Sequence, residues 1–396
     1  MPNSNCKNYR RNRLMTNRLT YWTALALMQG IPQTRKMDLF CKSFNALKEK
    51  ESDPIVCLFE DDILQAEIDM TQEEKNIFNQ EKSHMINTAF LTESLLNQGY
   101  NIVPVDSKEY PQLLKTNMQK KAPLVLFSKG DLELYNQQSV AIVGSRNADS
   151  ISLCFTENIA KKAVSKGKVV ISGGAKGVDS KALTSALDNY GKTIIVIPQG
   201  ITTFGKGMRE MYQHIRDGRV LVVSQFHPNN PWSVPNAMIR NGIIYALAQE
   251  TFVAQSGSHG GTWSGATEAL RNHRKVYVRW PEKDEDNSNK LLAQKGAIPV
   301  DINGNFLDLS QDDLLTPQEK EQKIMETLIK EFLKNGKKPT MDIVQIVKVK
   351  NVGCSWSDSK ITKWLKEQNF ISCEKISNRL YFNLKQNISQ QRSFEF

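Results

Sequence analysis

The sequence has few of the residues that build metal centres and disulfide frameworks. It contains six cysteines and five histidines among 396 residues. The cysteines are scattered, and no two of them form a CxxC pair. This spacing argues against a zinc site and against a disulfide framework, and it suits a reducing compartment. We therefore predict a protein without a metal.

Long apolar runs are missing as well. No stretch approaches the roughly 18–20 apolar residues that are needed to span a bilayer. The N-terminus is basic but lacks the apolar core and the cleavage site of a signal peptide. The sequence therefore predicts a cytoplasmic protein with no membrane partner.

Two common nucleotide-binding signatures are absent. No GxxxxGK[ST] motif occurs, which argues against an ordinary P-loop NTPase. No GxGxxG motif follows the first strand of the sheet predicted below, so we predict no nicotinamide or flavin cofactor, and no cofactor of another kind.

The charge balance is basic. The chain has 52 lysines and arginines against 42 aspartates and glutamates, which gives a formal net charge of +10. An excess of this sign favours a polyanionic partner such as nucleic acid or an anionic membrane surface. The charge alone is equally compatible with a mildly basic soluble protein that binds nothing acidic.

The pattern of the chain predicts three domains. Residues 1–98 contain two amphipathic segments separated by Gly30-Ile31-Pro32, which predicts a helical domain of the SAM or helix–hairpin–helix kind. Residues 99–310 alternate short apolar runs with helical segments. Residues 311–396 predict three helices followed by a small hairpin, which is the outline of a winged-helix-like domain.

The central domain carries six runs rich in valine and isoleucine. Runs without alternation of polar and apolar residues predict strands that are buried on both faces of a parallel sheet. The predicted fold class is therefore α/β, with an extended Rossmann-like parallel sheet. The predicted strands are Ser139–Val143, Val169–Ser172, Thr193–Pro198, Val220–Ser224, Thr251–Ala254 and Val276–Arg279.

Three glycine-bearing loops follow the first, second and fifth of these strands. Right-handed crossovers place the C-terminal ends of parallel strands at one edge, where open α/β sheets bind ligands. Glycine lets backbone N–H groups converge on an anion, and hydroxyl and guanidinium groups add donors. One such loop is more often a plain tight turn, but three in one sheet predict a phosphate site. The candidate residues of the loops are Gly144, Ser145, Arg146, Ser172, Gly173, Gly174, Lys176, Ser256, Gly257, Gly260, Gly261 and Thr262.

Several segments resemble the DprA/Smf family of DNA-processing proteins. Val140–Arg146 looks like the family's VGSR element, and Ser172–Asp179 resembles its SGxAxGxD element. Asn236–Ile244 resembles its RNRII element, and Tyr110–Lys115 with Pro123–Asp131 resembles the approach to its Rossmann domain. These elements occur in the family's order and cover roughly residues 100–300.

The resemblance implies a protein that binds single-stranded DNA without a strong sequence preference and does no chemistry on it. It further implies a homodimer that hands the strand to a RecA-type recombinase during DNA uptake and recombination. By position in the family motif, Arg240 and Asn241 would lie at the rim of a phosphate pocket. Lys176 is a candidate only because it lies in the second loop, and not because the family motif includes it. The pocket residues implied in this way are Gly144, Ser145, Arg146, Gly173 and Gly174.

The sequence departs from the family pattern at four positions. Gly242 stands where the family has the second arginine of RNR, and Leu183 stands where it has a histidine. Gln225 and Gln255 stand where it has glutamates at the ends of two strands. These changes mark a divergent member, and the lost acids make the edge less negative.

An enzyme is the alternative reading of the third loop. Gly260–Glu268 loosely resembles the GGxGTxxE signature of LOG-type phosphoribohydrolases, which cleave nucleoside monophosphates. In such an enzyme Glu268 would be the catalytic group, although its spacing is displaced and an exposed helix glutamate is the simpler interpretation. A nucleotide-binding sensor, or a phage-defence or mobile-element protein with a changed ligand, also fits this sequence.

Other residues have two interpretations each. Trp232 and Trp263 lie near the predicted binding edge and either stack on bases or pack in the core. His259 either donates to phosphate or is simply exposed. We expect Asp179 to cap or orient its loop rather than to act in catalysis. In the last predicted helix, three lysines on one face are typical of a DNA-reading helix and equally of a solvated surface, namely Lys360, Lys363 and Lys366.

Overall fold

The structure, a computed structural model, describes residues 18–282, 285–315, 317–350 and 356–385. Residues 1–17 and 386–396, at the ends of the predicted first and last domains, lie outside the described residues. The chain divides into two compact units, Met1–Asp308 and Leu309–Phe396. The helical segment that follows residue 17 belongs to the same unit as the sheet, and a separate domain ending at residue 98 stays a prediction.

The first unit begins with a group of helices packed around aromatic side chains. Trp22 and Phe40 meet edge to face with ring centroids 4.5 Å apart, and both are buried. The helix that begins at Pro54 shows how local chemistry starts a helix. Asp53, the residue before it, accepts a hydrogen bond from the Ile55 amide, and proline is tolerated at the first helical position. The helices are α1 (residues 18–27), α2 (Gln33–Ala46), α3 (Pro54–Glu60), α4 (Asp62–Glu67), α5 (Gln72–Ser83) and α6 (Met85–Asn97).

A buried lysine joins the first two of these helices. Lys36 is only 4% exposed, and its Nζ donates to the carbonyl of Ala26 at 3.3 Å and to that of Met28. Carbonyls at the end of a helix have no partner within the helix, so the ammonium satisfies them. Burial lowers the pKa of Lys36 to about 8, against the raising effect of Glu81.

We expect Lys36 to make the stability of the protein rise with pH between about 8 and 10.5. In this window the unfolded chain holds the proton and the folded chain does not, so the free energy of unfolding increases with pH. Lys36→Met should lack this increase. Urea unfolding of both proteins below pH 8 and again near pH 10.5 measures the difference. Equal pH dependence in the two proteins would show that Lys36 is not desolvated.

The centre of the first unit is a nine-stranded sheet in the order β1-β2-β6-β5-β4-β3-β7-β8-β9. The strands from β6 to β9 in this order are parallel, whereas β2 is antiparallel to both β1 and β6. The strands are β1 (Asn101–Pro104), β2 (Val125–Gly130), β3 (Ser139–Val143), β4 (Val169–Ser172), β5 (Thr193–Val196), β6 (Val220–Ser224), β7 (Glu250–Val253), β8 (Val276–Arg279) and β9 (Ile298–Val300).

The predicted α/β fold with an extended, mostly parallel sheet is confirmed. All six predicted strands are present, and five of the six begin at the predicted residue. The prediction missed β1, β2 and β9, which form the two outer parts of the sheet. β9 has three residues and is only partly buried, so it lacks the continuous apolar run that marks a central strand.

Helices cover both faces of this sheet. Between β3 and β4, the buried residues Phe155 and Ile159 of the connecting helix pack on Val140, Ile142 and Val170. The helices of this region are α7 (Gln112–Met118), α8 (Ser150–Ser165), α9 (Val178–Asp188), α10 (Gly205–Arg216), α11 (Val234–Leu247), α12 (Gly261–Arg271) and α13 (Asn289–Gln294). Across the described ranges, the helices are too short or too polar to traverse a bilayer.

The strand order reverses between β3 and β7. From β3 the chain adds β4, β5 and β6 successively on one side, and it then returns to add β7, β8 and β9 on the other. The helices after β3 and β7 therefore leave the sheet in different directions and open a crevice between them. In open α/β sheets such a switch point is where ligands bind.

The second unit is a small helical domain with a three-stranded sheet in the order β10-β12-β11. Ser377 and Asn378 both have positive φ, as a two-residue hairpin turn between β11 and β12 requires. The predicted order of three helices and a hairpin is present, and the winged-helix assignment stays a prediction. The elements are α14 (Gln311–Leu314), α15 (Pro317–Leu333), α16 (Thr340–Val349), α17 (Asp358–Glu367), β10 (Lys338–Pro339), β11 (Ile371–Ile376) and β12 (Arg379–Leu384).

The lysine face of α17 is exposed, and its opposite face is the core of this unit. Ile361 and Leu365 are fully buried against Phe382 of β12. This arrangement fits both interpretations of the helix, so the choice between a DNA-reading helix and a solvated surface stays open. The exposed lysines are Lys360, Lys363 and Lys366.

Candidate phosphate-binding site

A cavity of about 340 Å³ opens at the switch point between β3 and β7. The loops after these two strands and the first half of α11 form its walls. It brings together nine of the fourteen predicted site residues, although they come from three distant parts of the chain. These nine are Gly144, Ser145, Arg146, Arg240, Asn241, Ser256, Gly257, Gly261 and Thr262.

The first loop is held against the third by hydrogen bonds. The Ser145 amide donates to the Gln255 carbonyl at 2.9 Å, and the Asp149 amide donates to the Gln255 side-chain oxygen at 3.1 Å. A Cβ on Gly144 would lie 2.6 Å from Cγ2 of Val178, so this position has no room for a side chain. Gln255, noted above as a departure from the family pattern, thus joins two walls of the cavity without adding a negative charge.

Arg146 and Trp232 form a pair at the cavity. The guanidinium carbon of Arg146 lies 5.8 Å from the centroid of the Trp232 ring, within the range of a cation–π contact. Arg146 is exposed, and Trp232 remains 47% exposed. A positive charge and an aromatic face are therefore both available to a ligand at the same place.

The second loop supports the cavity more than it lines it. Ser172 is buried and its hydroxyl donates to the Ile142 carbonyl at 2.7 Å, so this donor is already used within the protein. Gly173 is buried too, whereas Gly174 and Lys176 are exposed but do not line the cavity. A phosphate contact by these two exposed residues stays a prediction. From this loop, Ala175 reaches the cavity wall.

Arg240 lies at the floor of the cavity and not at the rim. It is only 3% exposed, and its Nη1 donates to the carbonyl of Gly173 at 2.5 Å and to that of Val196. Burial lowers the pKa of Arg240, and the nearby Asp179 carboxylate opposes this effect. Nη1 thus ties the second loop, through Gly173, to the end of β5, through Val196.

Asp179 is buried in the first turn of α9, next to the second loop, and it also lines the cavity. Burial raises its pKa, while the charge of Arg240 and hydrogen bonds from the backbone of Ala175 and Gly173 and from Ser172 lower it. These contacts are what an orienting residue of the loop makes, and the absence of a catalytic role for Asp179 stays a prediction.

The third loop ends at the start of α12. Gly260, with a φ of +90°, precedes the helix and provides no side-chain cap. The amides of the first helical turn are therefore left for solvent or for an anion. Asn241 lies against Gly261, where a Cβ would overlap with its side-chain amide. The cavity thus ends at an uncapped helix N-terminus, with Gly260 itself just outside its lining.

A buried arginine that the sequence analysis missed connects these loops. The Arg279 side chain is 1% exposed, and it donates to the Ala254 carbonyl at 3.1 Å, to the Ser152 hydroxyl at 3.0 Å and to Glu285 at 2.8 Å. Asn289 adds to this network by accepting from the Ser256 amide at 2.9 Å. An arginine that ends an otherwise apolar strand was the available signal.

The second loop passes so close to the first that one position must be glycine. Gly177 has a φ of +78°, and a Cβ there would overlap with the Ser145 carbonyl oxygen and lie 2.6 Å from that of Arg146. Gly177→Ala is expected to lower the free energy of unfolding by about 3 kcal/mol or more, from backbone strain and overpacking together.

Gly167→Ala is the matched control for this substitution. Gly167 also has positive φ, +67°, but a Cβ there would meet no atom within 4 Å. In this variant the free energy of unfolding should fall by only about 1–2 kcal/mol, which is the cost of placing alanine in a left-handed conformation. Urea unfolding of both variants tests the comparison, and an equal loss in the two would show that the loops do not meet as described.

Glu268 does not lie in this cavity. It is exposed on α12 and lines a separate cavity with Lys121, Trp263 and Arg271. The glutamate that the enzyme alternative requires is therefore apart from the glycine loops. Over the described ranges, no cluster of three or more histidine, cysteine, aspartate or glutamate side chains has the arrangement of a metal site.

A mostly parallel sheet defines a Rossmann-like α/β protein, and its switch point carries a cavity with glycine loops, an arginine and an uncapped helix start. Residues 101–309 match the family model described as DNA recombination-mediator protein A, and the chain belongs to this family.

Two relatives of the chain are named DNA processing protein DprA. The chain is 30% identical over 185 residues to the DNA processing protein DprA of Bacillus subtilis, covering 46% of this chain and 61% of that protein. It is 32% identical over 157 residues to DprA of Streptococcus pneumoniae, covering 40% and 55%. The matches thus span less than two thirds of either relative. The crystal structure of the S. pneumoniae protein aligns over 72% of this chain and 94% of its own, with a TM-score of 0.58 and 24% identity, which supports the fold.

Proposed function

We propose that the cavity between β3 and β7 binds the phosphate backbone of single-stranded DNA. The observation that carries this proposal is the convergence of the two glycine loops, the uncapped start of α12 and the exposed Arg146 on one cavity. Backbone amides and a guanidinium are the groups that bind phosphate oxygens. They contact the backbone and do not read bases, so binding is expected to be independent of sequence.

Trp232 gives a reason for preferring a single strand over a duplex. Its exposed ring lies beside the Arg146 guanidinium, where a phosphate would be held. An unpaired base is free to stack on such a ring, which contributes roughly 1–3 kcal/mol and tolerates every base. In a duplex the faces of the bases are covered by their neighbours, so this contribution is lost.

We propose that the protein binds the strand without cleaving it. In support, Glu268, which the phosphoribohydrolase alternative requires, lies outside the cavity. Asp179 does line the cavity, but its carboxylate is held by Arg240 and by backbone amides of the second loop. The size of the cavity also fits a single nucleotide, since small-molecule sites begin at about 300 Å³. A nucleotide sensor or a phosphoribohydrolase therefore remains the second candidate, and incubation with nucleoside monophosphates followed by a search for released base separates it from the first.

A titration of labelled oligonucleotides tests the proposal directly. We expect a single-stranded oligonucleotide to bind more tightly than the matching duplex. The affinity should fall with salt, since each neutralised phosphate of a single strand contributes about −0.7 to the slope of log K against log salt. Equal affinity for both forms, or binding that salt does not weaken, would contradict the proposal.

Family membership supports a proposal about the partners of the protein and its location in the cell. The chain belongs to a family of recombination mediators, so we propose that it acts in the cytoplasm as a homodimer and hands the strand to a RecA-type recombinase. The self-association is measured by light scattering of the full chain. The partnership is measured by co-purification with a RecA-type recombinase in the presence and absence of single-stranded DNA.

A further inference from the structure

A second cavity lies beside the first, on the outer side of α12. It has a volume of about 430 Å³ and is lined by side chains that include Lys121, Trp263, Arg271 and Glu268. Lys295 lies above the Trp263 ring, with Nζ 5.9 Å from the ring centroid. Trp263 is half-buried, so part of its side chain is accessible. This combination of an aromatic face with basic side chains is separate from the glycine loops.

The first turn of α12 contributes residues to both cavities. Gly261 and Thr262 line the first cavity, and Trp263 and Ser264, the next two residues of the helix, line the second. Successive helical residues are offset by about 1.5 Å along the axis and by a large turn around it. Neighbouring residues of one helix start thus line two separate cavities.

We propose that this second cavity is a further nucleotide subsite for the strand that the first cavity holds. The proposal rests on the proposed function. The Trp263 ring stacks on a base, and the cations Lys121, Arg271 and Lys295 surround the neighbouring phosphates. Arginine and lysine next to a stacking ring are the usual components of sequence-tolerant single-strand sites. The strand therefore follows the first turns of α12 after it leaves the glycine loops.

The charge of Glu268 distinguishes a DNA subsite from an enzyme active site. It is a carboxylate on the wall of a space that we assign to a polyanion, so it repels the bound strand. Removing its charge is therefore expected to strengthen binding, whereas a phosphoribohydrolase would lose activity by the same change. A gain in affinity cannot arise from a damaged fold.

The test compares a short and a long oligothymidylate, of about 4 and about 16 nucleotides, which are the limits of common single-strand site sizes. Trp263→Ala is expected to weaken binding of the long oligonucleotide by roughly five- to tenfold and to leave the short one unchanged. Arg271→Ala should act in the same direction. Glu268→Gln should strengthen binding of the long oligonucleotide by roughly two- to threefold, again without effect on the short one.

Tyr190→Ala is the control for loss of an exposed aromatic ring. Tyr190 is 86% exposed and lies just before β5, at the edge of the sheet opposite the cavities. Tyr190→Ala should change the affinity for neither the short nor the long oligonucleotide.

A second measurement uses tryptophan fluorescence. Its quenching by the long oligonucleotide should be smaller in Trp263→Phe than in the native chain.

The outcomes separate this inference from the proposed function. If the native chain binds neither oligonucleotide, both ideas fail. If it binds both and Trp263→Ala has no effect, or weakens the short and long oligonucleotides equally, the second subsite is wrong and the first cavity stands. A loss of affinity in Glu268→Gln would also overturn the subsite.

Discussion

Arg146→Ala is expected to weaken the binding of single-stranded DNA by roughly tenfold or more. A hydrogen bond to a charged group contributes about 1.5–3 kcal/mol, and each 1.4 kcal/mol corresponds to a factor of ten in affinity. The variant also loses a cation, so the slope of log K against log salt should become less steep by about 0.7. Fluorescence anisotropy of a labelled oligonucleotide over a range of salt concentrations measures both quantities.

Arg216→Ala is the control for the loss of a positive charge. Arg216 is exposed at the C-terminal end of α10, which precedes β6 and so lies away from the ligand edge. It should change the affinity much less than Arg146→Ala does. If Arg146→Ala leaves single-strand binding unchanged at low salt, the assignment of the cavity is wrong.

Arg279→Met is expected to lower the free energy of unfolding by about 3–5 kcal/mol. This is the usual loss when one partner of a buried ion pair is removed, because the other charge stays buried without compensation. Glu285 is that partner, and its side chain is only 11% exposed. Ala254 after β7 and Ser152 in the first turn of α8 also lose their common donor, so we expect weaker DNA binding as well. Urea unfolding and the oligonucleotide titration measure the two effects.

Two further variants show whether the lost ion pair is the cause. Arg279→Met combined with Glu285→Gln should recover part of the stability, because the neutral amide is less costly to bury. Lys161→Met breaks an exposed ion pair with Glu157 on α8, at 2.6 Å, and should leave the unfolding free energy nearly unchanged. A similar loss in Arg279→Met and Lys161→Met would contradict the buried network.

The sheet shows how far local sequence patterns reach. β3, β4, β6 and β8 have the bounds that their apolar runs predict, because a strand buried on both faces needs an apolar residue at nearly every position. β1 and β9 are short edge strands that carry weaker versions of this pattern. β2 is a clear apolar run, but it lies in the segment that resembles the approach to the Rossmann domain, so it was not predicted as a strand of the sheet.

The sequence also indicated part of the candidate site, while the rest depended on contacts in the folded chain. Glycine and serine after β3 and β7 indicated a phosphate site, and the structure brings these loops to one cavity. Ser172 was predicted to serve the ligand, yet its hydroxyl donates to a carbonyl group inside the protein. Arg240 uses Nη1 in the same way but still lines the cavity. Sequence identifies the type of donor at a position, but its availability depends on which acceptors lie next to it in the folded chain.

The sequence by itself determined that this protein has a parallel sheet with glycine loops at its ligand edge and a basic charge suited to a polyanion. Burial and turn geometry act over a few residues, so short windows of the chain contain this information. Only the tertiary structure decided that β7 pairs with β3, that Arg279 connects the loops and that Trp232 lies beside Arg146. These contacts join residues far apart in the chain, and they depend on how the whole sheet packs.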